Sequence, residues 1–194
     1  MSEWMIQDFA KVSKLRYVIL RYFNGAGADS SGKLGQRTEN ATHLIRMACD
    51  AALGRRPALE IFGTDFPTLD STAIRDYIHV EDLATAHLDA LKYLENGELS
   101  QVLNCGYGEG YSVRQVIYRV KAIFYLDFPV VEVQRRSGDP PWVVSNSEKI
   151  FQVLGWQPQH NDLDIIIRIA LSWEIAQKSK SDISKQLIEI TNFS

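Results

Sequence analysis

Tyr17-Val18-Ile19-Leu20-Arg21-Tyr22-Phe23-Asn24 decides the architecture. Residues 17–23 are apolar and β-rich without clean alternation, the pattern of a strand covered on both faces in a parallel sheet. The run stops at Asn24. A Gly-, Ser- and Asp-rich stretch follows to Asn40, a long loop of the kind that carries function. Upstream, residues 3–12 place Trp4, Met5, Phe9 and Val12 at helical spacing. Downstream, residues 41–53 read as a helix, with Asn40 as N-cap and Gly54 as its stop.

Further along come a short strand at Leu59–Phe62, a polar loop over 67–73 and a helix over Val80–Glu95 that ends before Asn96-Gly97. A second covered strand occupies 102–105, closed by Gly106 and Gly108. Ser112-x-x-Gln115 is a capping box opening a helix through Phe124. A strand at Val130–Val133 follows. Ser145-x-x-Glu148 reads as a second capping box, for a short helix ending at Gly155. The last helix spans 162–176. The tail over 179–194 is polar, with Ile183, Leu187 and Ile190 at helical spacing and no role that the sequence indicates.

Alternating strands and helices predict an α/β fold with parallel pairing. Only the strands near 17–22 and 101–105 have the character of full sheet members. Burial contributes on the order of 25 cal/mol per Å², against a net stability of about 5–15 kcal/mol. A two-stranded remnant leaves apolar surface uncovered, so the pattern reads as part of a larger sheet.

The 194 residues are 45% hydrophobic and 23% charged, ordinary for one domain or one plus a small lobe. Net charge is −3 and the pI about 5.8, so nothing suggests a nucleic-acid footprint. The two cysteines, Cys49 and Cys105, offer neither a metal spacing nor a disulfide framework, and reduced thiols imply a cytoplasmic protein. No apolar run approaches the roughly 18 residues of a membrane span.

Four motifs carry chemistry. Asn24 ends a strand, where open α/β sheets bind ligands, and its amide both donates and accepts; the alternative is a turn Asn beside a core Phe23. His43 and Leu44 lie near a helix start, where free N–H groups favour anions; a surface His is the alternative. Arg75, in Ile74-Arg75-Asp76-Tyr77-Ile78-His79-Val80, offers a rigid fork for phosphate oxygens, the alternative being an ion pair with a carboxylate such as Asp76. Arg136 and Asp139, in Arg135-Arg136-Ser137-Gly138-Asp139, suit an anion and a diol, or form a charged turn.

Arg21-Tyr22-Phe23-Asn24, Thr42-His43-Leu44-Ile45, the segment Leu59–Phe62 and the Arg75 heptad together resemble the nucleotide-sugar half of the UDP-glucose 4-epimerase family, which are NAD-dependent extended short-chain dehydrogenases. The resemblance spans about residues 2–175. It implies the C-terminal part of a Rossmann-like fold plus a small α/β substrate-binding lobe, interleaved over residues 1–178.

It also implies a UDP-sugar as partner. In the family, the residues matching Phe23 and Asn24 face the cofactor, sugar and diphosphate, and those matching His43 and Leu44 the diphosphate or sugar. The edge matching Glu60, Ile61 and Phe62 pairs with uracil. Arg75 and Arg136 match phosphate ligands, Asp139 a ribose ligand, and Val143 a position whose size is associated with admitting N-acetylated sugars. Asp76 and His79 are expected to orient the segment and cap the next helix. The helix at 3–12 matches one that forms a dimer interface, so a homodimer or a separate N-terminal half is an expected partner.

The departures are sharp. In the family, hydride passes from sugar C4 to NAD while a Tyr, tuned by a Lys, takes the hydroxyl proton. This chain has no Gly-x-x-Gly-x-x-Gly loop, and none of its eight tyrosines has a lysine four residues on. The expectation is therefore a binding half with no catalytic residue, no metal and no NAD of its own, inactive when isolated, or else a non-catalytic UDP-binding remnant or half of another nucleotide-sugar dehydratase or epimerase.

Overall fold

A computed structural model describes residues 1–38 and 41–191, without the side chains of Phe124 and 178–191. Helix α1 (Ser2–Val12) leads into β1 (Val18–Tyr22) and the short β2 (Asn24–Ala26). There follow α2 (Leu44–Ala52), β3 (Leu59–Phe62), β4 (Ile74–Arg75), β5 (Tyr77–His79), α3 (Val80–Glu95) and β6 (Gln101–Cys105). The chain continues as β7 (Tyr111–Ser112), α4 (Val113–Phe124), β8 (Val130–Val133), β9 (Trp142–Val143), α5 (Glu148–Leu154) and α6 (Leu163–Thr191).

β1 pairs in parallel with β6, from Val18 opposite Gln101 to Tyr22 opposite Cys105. β2 pairs in parallel with β5, and β3 with β8. β4 sits between antiparallel β7 and parallel β9. All these pairings but one are parallel, as the βα alternation predicts.

Two cores form. Ile78, Leu103, Cys105, Ile150 and Trp156 pack between the β1–β6 pair, α3 and α5. The Trp156 indole N–H donates to the Asp82 carbonyl and to Thr85 Oγ1, both at 3.1 Å, so its polar edge is satisfied. The larger core gathers Ile45 and Cys49 from α2, Leu59 and Ile61 from β3, Val116 and Val120 from α4, and Ile166, Ile167 and Leu171 from α6. Buried Glu174 ties α6 to α2 through Arg46 at 2.7 Å and through Arg55.

Several expectations need correcting. β1 is half-buried over Val18–Leu20 and exposed at Arg21 and Tyr22, not covered on both faces. Its only sheet neighbour among the described residues is β6, and α1 beside it buries none of its own residues. α2 starts at Leu44 with His43 as N-cap, three residues later than the sequence suggests; Asn40 lies outside the described residues. The Ser145 box does not form: the N-cap of α5 is Ser147, and the Ser145 hydroxyl goes to buried Asp76 at 2.6 Å. The last helix runs past residue 176 to Thr191 and takes in most of the tail. The Ser112 box is complete in both directions.

Candidate functional site: a cavity at the start of α2

A cavity of about 260 Å³ opens between β2, the start of α2, β3, β4 and the turn after β8. Asn24, His43, Leu44, Glu60, Phe62, Arg75, Arg136 and Asp139 all line it. These come from five separate stretches of sequence. Three other candidates lie off the wall. Phe23 is half-buried, with its amide on the Cys105 carbonyl at 3.4 Å. The Ile61 side chain is 1% exposed and belongs to the larger core, because strand alternation turns it away from Glu60. Val143 is half-buried and stands opposite Arg75 in the β4–β9 pairing.

The cations are held in place. Arg75 donates through one terminal nitrogen to the Ile74 carbonyl at 2.8 Å and through the other to Asp139 Oδ1 at 2.9 Å. The ion-pair partner is thus Asp139 and not Asp76. The Arg136 guanidinium lies over the Phe62 ring, 3.8 Å from its centroid, within cation–π range. Arg135, one residue back, points to Asp65 and the Phe66 ring instead.

The amide and the helix start complete the wall. Asn24 donates both its backbone N–H and its Nδ2 to the Asp76 carbonyl, at 3.1 and 2.8 Å. His43 caps α2 with extended backbone and no side-chain cap bond. The floor includes Tyr77, which is 5% exposed, and burial pushes its phenol far above the ordinary range. β3 pairs only with β8 among the described residues, which leaves its other edge unpaired beside Glu60 and Phe62.

Outside this cavity's lining lie residues that sequence reasoning underrated. Buried Asp82 accepts from the Tyr107 hydroxyl at 2.5 Å and from the Gln159 and His160 amides at 2.9 and 2.8 Å. Burial works to raise its pKa, but these hydrogen bonds outweigh it and the net value is lowered. His79 caps α3 by accepting from the Glu81 amide at 3.2 Å, and its ring stacks on His160 at 4.3 Å. His79, Glu81 and His160 bring potential metal-ligand atoms within 4.8 Å. The rings are only 22° from parallel, so their lone pairs do not converge on one point. The only sequence signal for this cluster was the heptad around Arg75; His160 carried none.

Comparison with known proteins places the chain. The profile of the NAD dependent epimerase/dehydratase family matches residues 1–106. A UDP-glucose 4-epimerase of Azospirillum brasilense is 53% identical over 174 residues, covering 90% of this chain and 50% of that protein. A UDP-glucose-4-epimerase from Stenotrophomonas maltophila, solved with bound NAD and formylated UDP-arabinopyranose, superposes with a TM-score of 0.88 at 34% identity, over 92% of this chain and 54% of that one. The Brucella ovis UDP-glucose 4-epimerase, in complex with NAD, gives 0.83 at 42% identity, over 88% and 52%. The chain spans about half the length of the relatives it matches. With a cavity lined as described, a Rossmann-like strand–helix order and a family profile over its first 106 residues, this chain belongs to the NAD dependent epimerase/dehydratase family.

Proposed function

We propose that this chain is the nucleotide-sugar-binding half of a UDP-glucose 4-epimerase, and that the cavity at the start of α2 holds the UDP of a UDP-sugar. The observation that carries the reading is convergence. Two arginines, a helix start, an amide, a carboxylate and an unpaired strand edge meet on one cavity of nucleotide-binding chemistry. The formylated UDP-arabinopyranose in the Stenotrophomonas maltophila relative supports the ligand class.

Each role follows from the chemistry of the group that fills it. Arg75 and Arg136 take phosphate oxygens; two Arg75 donors are engaged, and its guanidinium has others to offer. The first amides of α2, at His43–Leu44, add positive potential. The free edge of Glu60-Ile61-Phe62 pairs with the uracil through backbone groups, with Ile61 acting through its main chain alone. Asp139 takes ribose hydroxyls. Asn24 meets the sugar at the wall, and the sugar extends past the cavity toward Phe23 and Val143, whose modest bulk bounds its pocket. The two cores support a partial Rossmann edge interleaved with a substrate lobe over 1–178.

On this reading the chain has no NAD of its own. The carboxyl end of β1 enters β2, not a helix N-terminus that could face a pyrophosphate. After β6, a Cβ on Gly106 would come within 2.6 Å of Asp76, and the Gly108 N–H already donates to that carboxylate. The same reading has the isolated chain bind without hydride chemistry. The unpaired edge of β1 and the exposed apolar side chains of α1 support a partner there: an N-terminal half supplying the next strand, or a second copy through residues 3–12.

Thermal unfolding with UDP tests this. At about 100-fold excess over Kd, a ligand stabilises by roughly 2.7 kcal/mol, or on the order of 5–10 °C for this size. UDP should raise the melting temperature, and Arg75→Ala should remove most of the rise. A melt blind to UDP sinks the reading.

A further inference from the structure

We propose that Asp76 is the positioning residue of this cavity, holding Asn24, Arg75 and Val143 in one fixed arrangement; the inference rests on the UDP reading above. Asp76 is fully buried, and among the described residues it makes no ion pair. Its charge is met by donors alone. Oδ1 accepts from the Tyr107 amide at 3.2 Å, while Oδ2 accepts from the Gly108 amide at 3.0 Å, the Ser145 amide at 3.1 Å and the Ser145 hydroxyl at 2.6 Å. A buried carboxylate is costly unless hydrogen-bonded, and charge-assisted bonds of this kind are short and strong. The packing is tight: a Cβ on Gly106 would come within 2.6 Å of Oδ2.

The same residue's main chain grips the cavity wall at Asn24 and, off the wall, the strand that carries Val143. Its N–H donates to the Val143 carbonyl at 3.1 Å, and its carbonyl accepts both the backbone N–H and Nδ2 of Asn24. Arg75 precedes it in the chain and lines the cavity, while the Asp76 side chain is buried against the turns after β6 and before α5. The carboxylate thus anchors these turns, and the backbone transmits that anchor to the amide and the cation that face the ligand. An asparagine at this position would turn an NH₂ group toward N–H donors on one side or the other, and the wall would lose its fixed point.

The test uses the 194-residue chain, with UDP and uridine titrated calorimetrically into wild type, Asp76→Asn and Ser145→Ala. Loss of positioning weakens UDP about 10-fold or more in Asp76→Asn while leaving uridine, which lacks the diphosphate, within about 2-fold. Ser145→Ala, which removes one of the four donors, shifts the same ratio less and keeps the proposal testable should Asp76→Asn not fold. A merely structural loss would weaken both ligands alike, and that result overturns the proposal. Hydrogen exchange of the Asn24 amide reads positioning without any ligand. It should accelerate about 10-fold in Asp76→Asn and a few-fold in Ser145→Ala. Unchanged exchange overturns the inference even where UDP binds, whereas accelerated exchange in a chain that binds no UDP supports the positioning and rejects only the nucleotide reading.

Discussion

At the scale of single residues, His79 has a titration consequence. Burial pushes its pKa below the ordinary value and the neighbouring His160 depresses it further, while Glu81 and Asp82 oppose both. The neutral ring is the one that caps α3, since Nδ1 accepts from the Glu81 amide. Its other nitrogen faces Gly27, where a Cβ would come within 2.6 Å, so only glycine fits there; at φ +86° glycine is also the favoured residue. Above the unfolded value of about 6.5 both states are neutral and this residue adds no slope. As pH falls below that value the unfolded chain binds the proton first, so folding stability declines until the lower folded value is reached. Urea midpoints should therefore drop between pH 7.5 and 5.5. The drop should shrink in His79→Asn, which keeps an acceptor for the cap; an equal drop in both proteins would place the titration elsewhere.

Among the elements, α4 depends on one hydroxyl. Ser112 Oγ accepts from the Gln115 amide at 3.1 Å and donates to Asp70, which also receives the Thr72 amide at 2.9 Å. One residue thus caps the helix and pins the loop that leads into β4. Removing a serine N-cap costs about 0.5–2 kcal/mol, and Asp70 also loses a donor, so Ser112→Ala should cost at the upper end, about 2 kcal/mol, in equilibrium urea unfolding. A change below about 0.5 kcal/mol would mean that water replaces both partners. α1 is the opposite case: no residue in it is buried, and its ties to the body include the Glu3–Arg21 pair, which is exposed and so contributes little.

For the whole molecule, the proposed second-copy partner is tested at that exposed helix. Trp4 is 73% exposed, Phe9 59% and Val12 85%, beside a β1 strand paired on one edge. An apolar face of this kind marks an interaction surface. Trp4→Glu combined with Phe9→Glu should leave the melting temperature nearly unchanged, because neither side chain is buried, and should convert a self-associating chain to a monomer in sedimentation velocity. A wild-type chain that is already monomeric at high concentration would refute the second-copy partner. No helix among the described residues is long and apolar enough to cross a membrane.

The sequence by itself determined what depends on local pattern. The parallel α/β class, the bounds of the Val80–Glu95 helix and the Ser112 box all followed from periodicity and capping chemistry acting within a few residues. The candidate site was legible as motifs because guanidinium, amide and helix-start chemistry can be read from residue type. Tertiary structure decided the rest. Ser145 and Glu148 have the spacing of a capping box, yet the Ser145 hydroxyl is held by a buried carboxylate 69 positions away in the sequence. Arg75 reads from sequence as a phosphate ligand, with an ion pair to a carboxylate such as Asp76 as the alternative; the carboxylate it meets is Asp139, which β9 and the turn before it bring within reach. The half-burial of β1 reflects its having one sheet neighbour, β6, among the described residues. Each of these outcomes is set by competition between local and distant partners, which only the folded chain resolves.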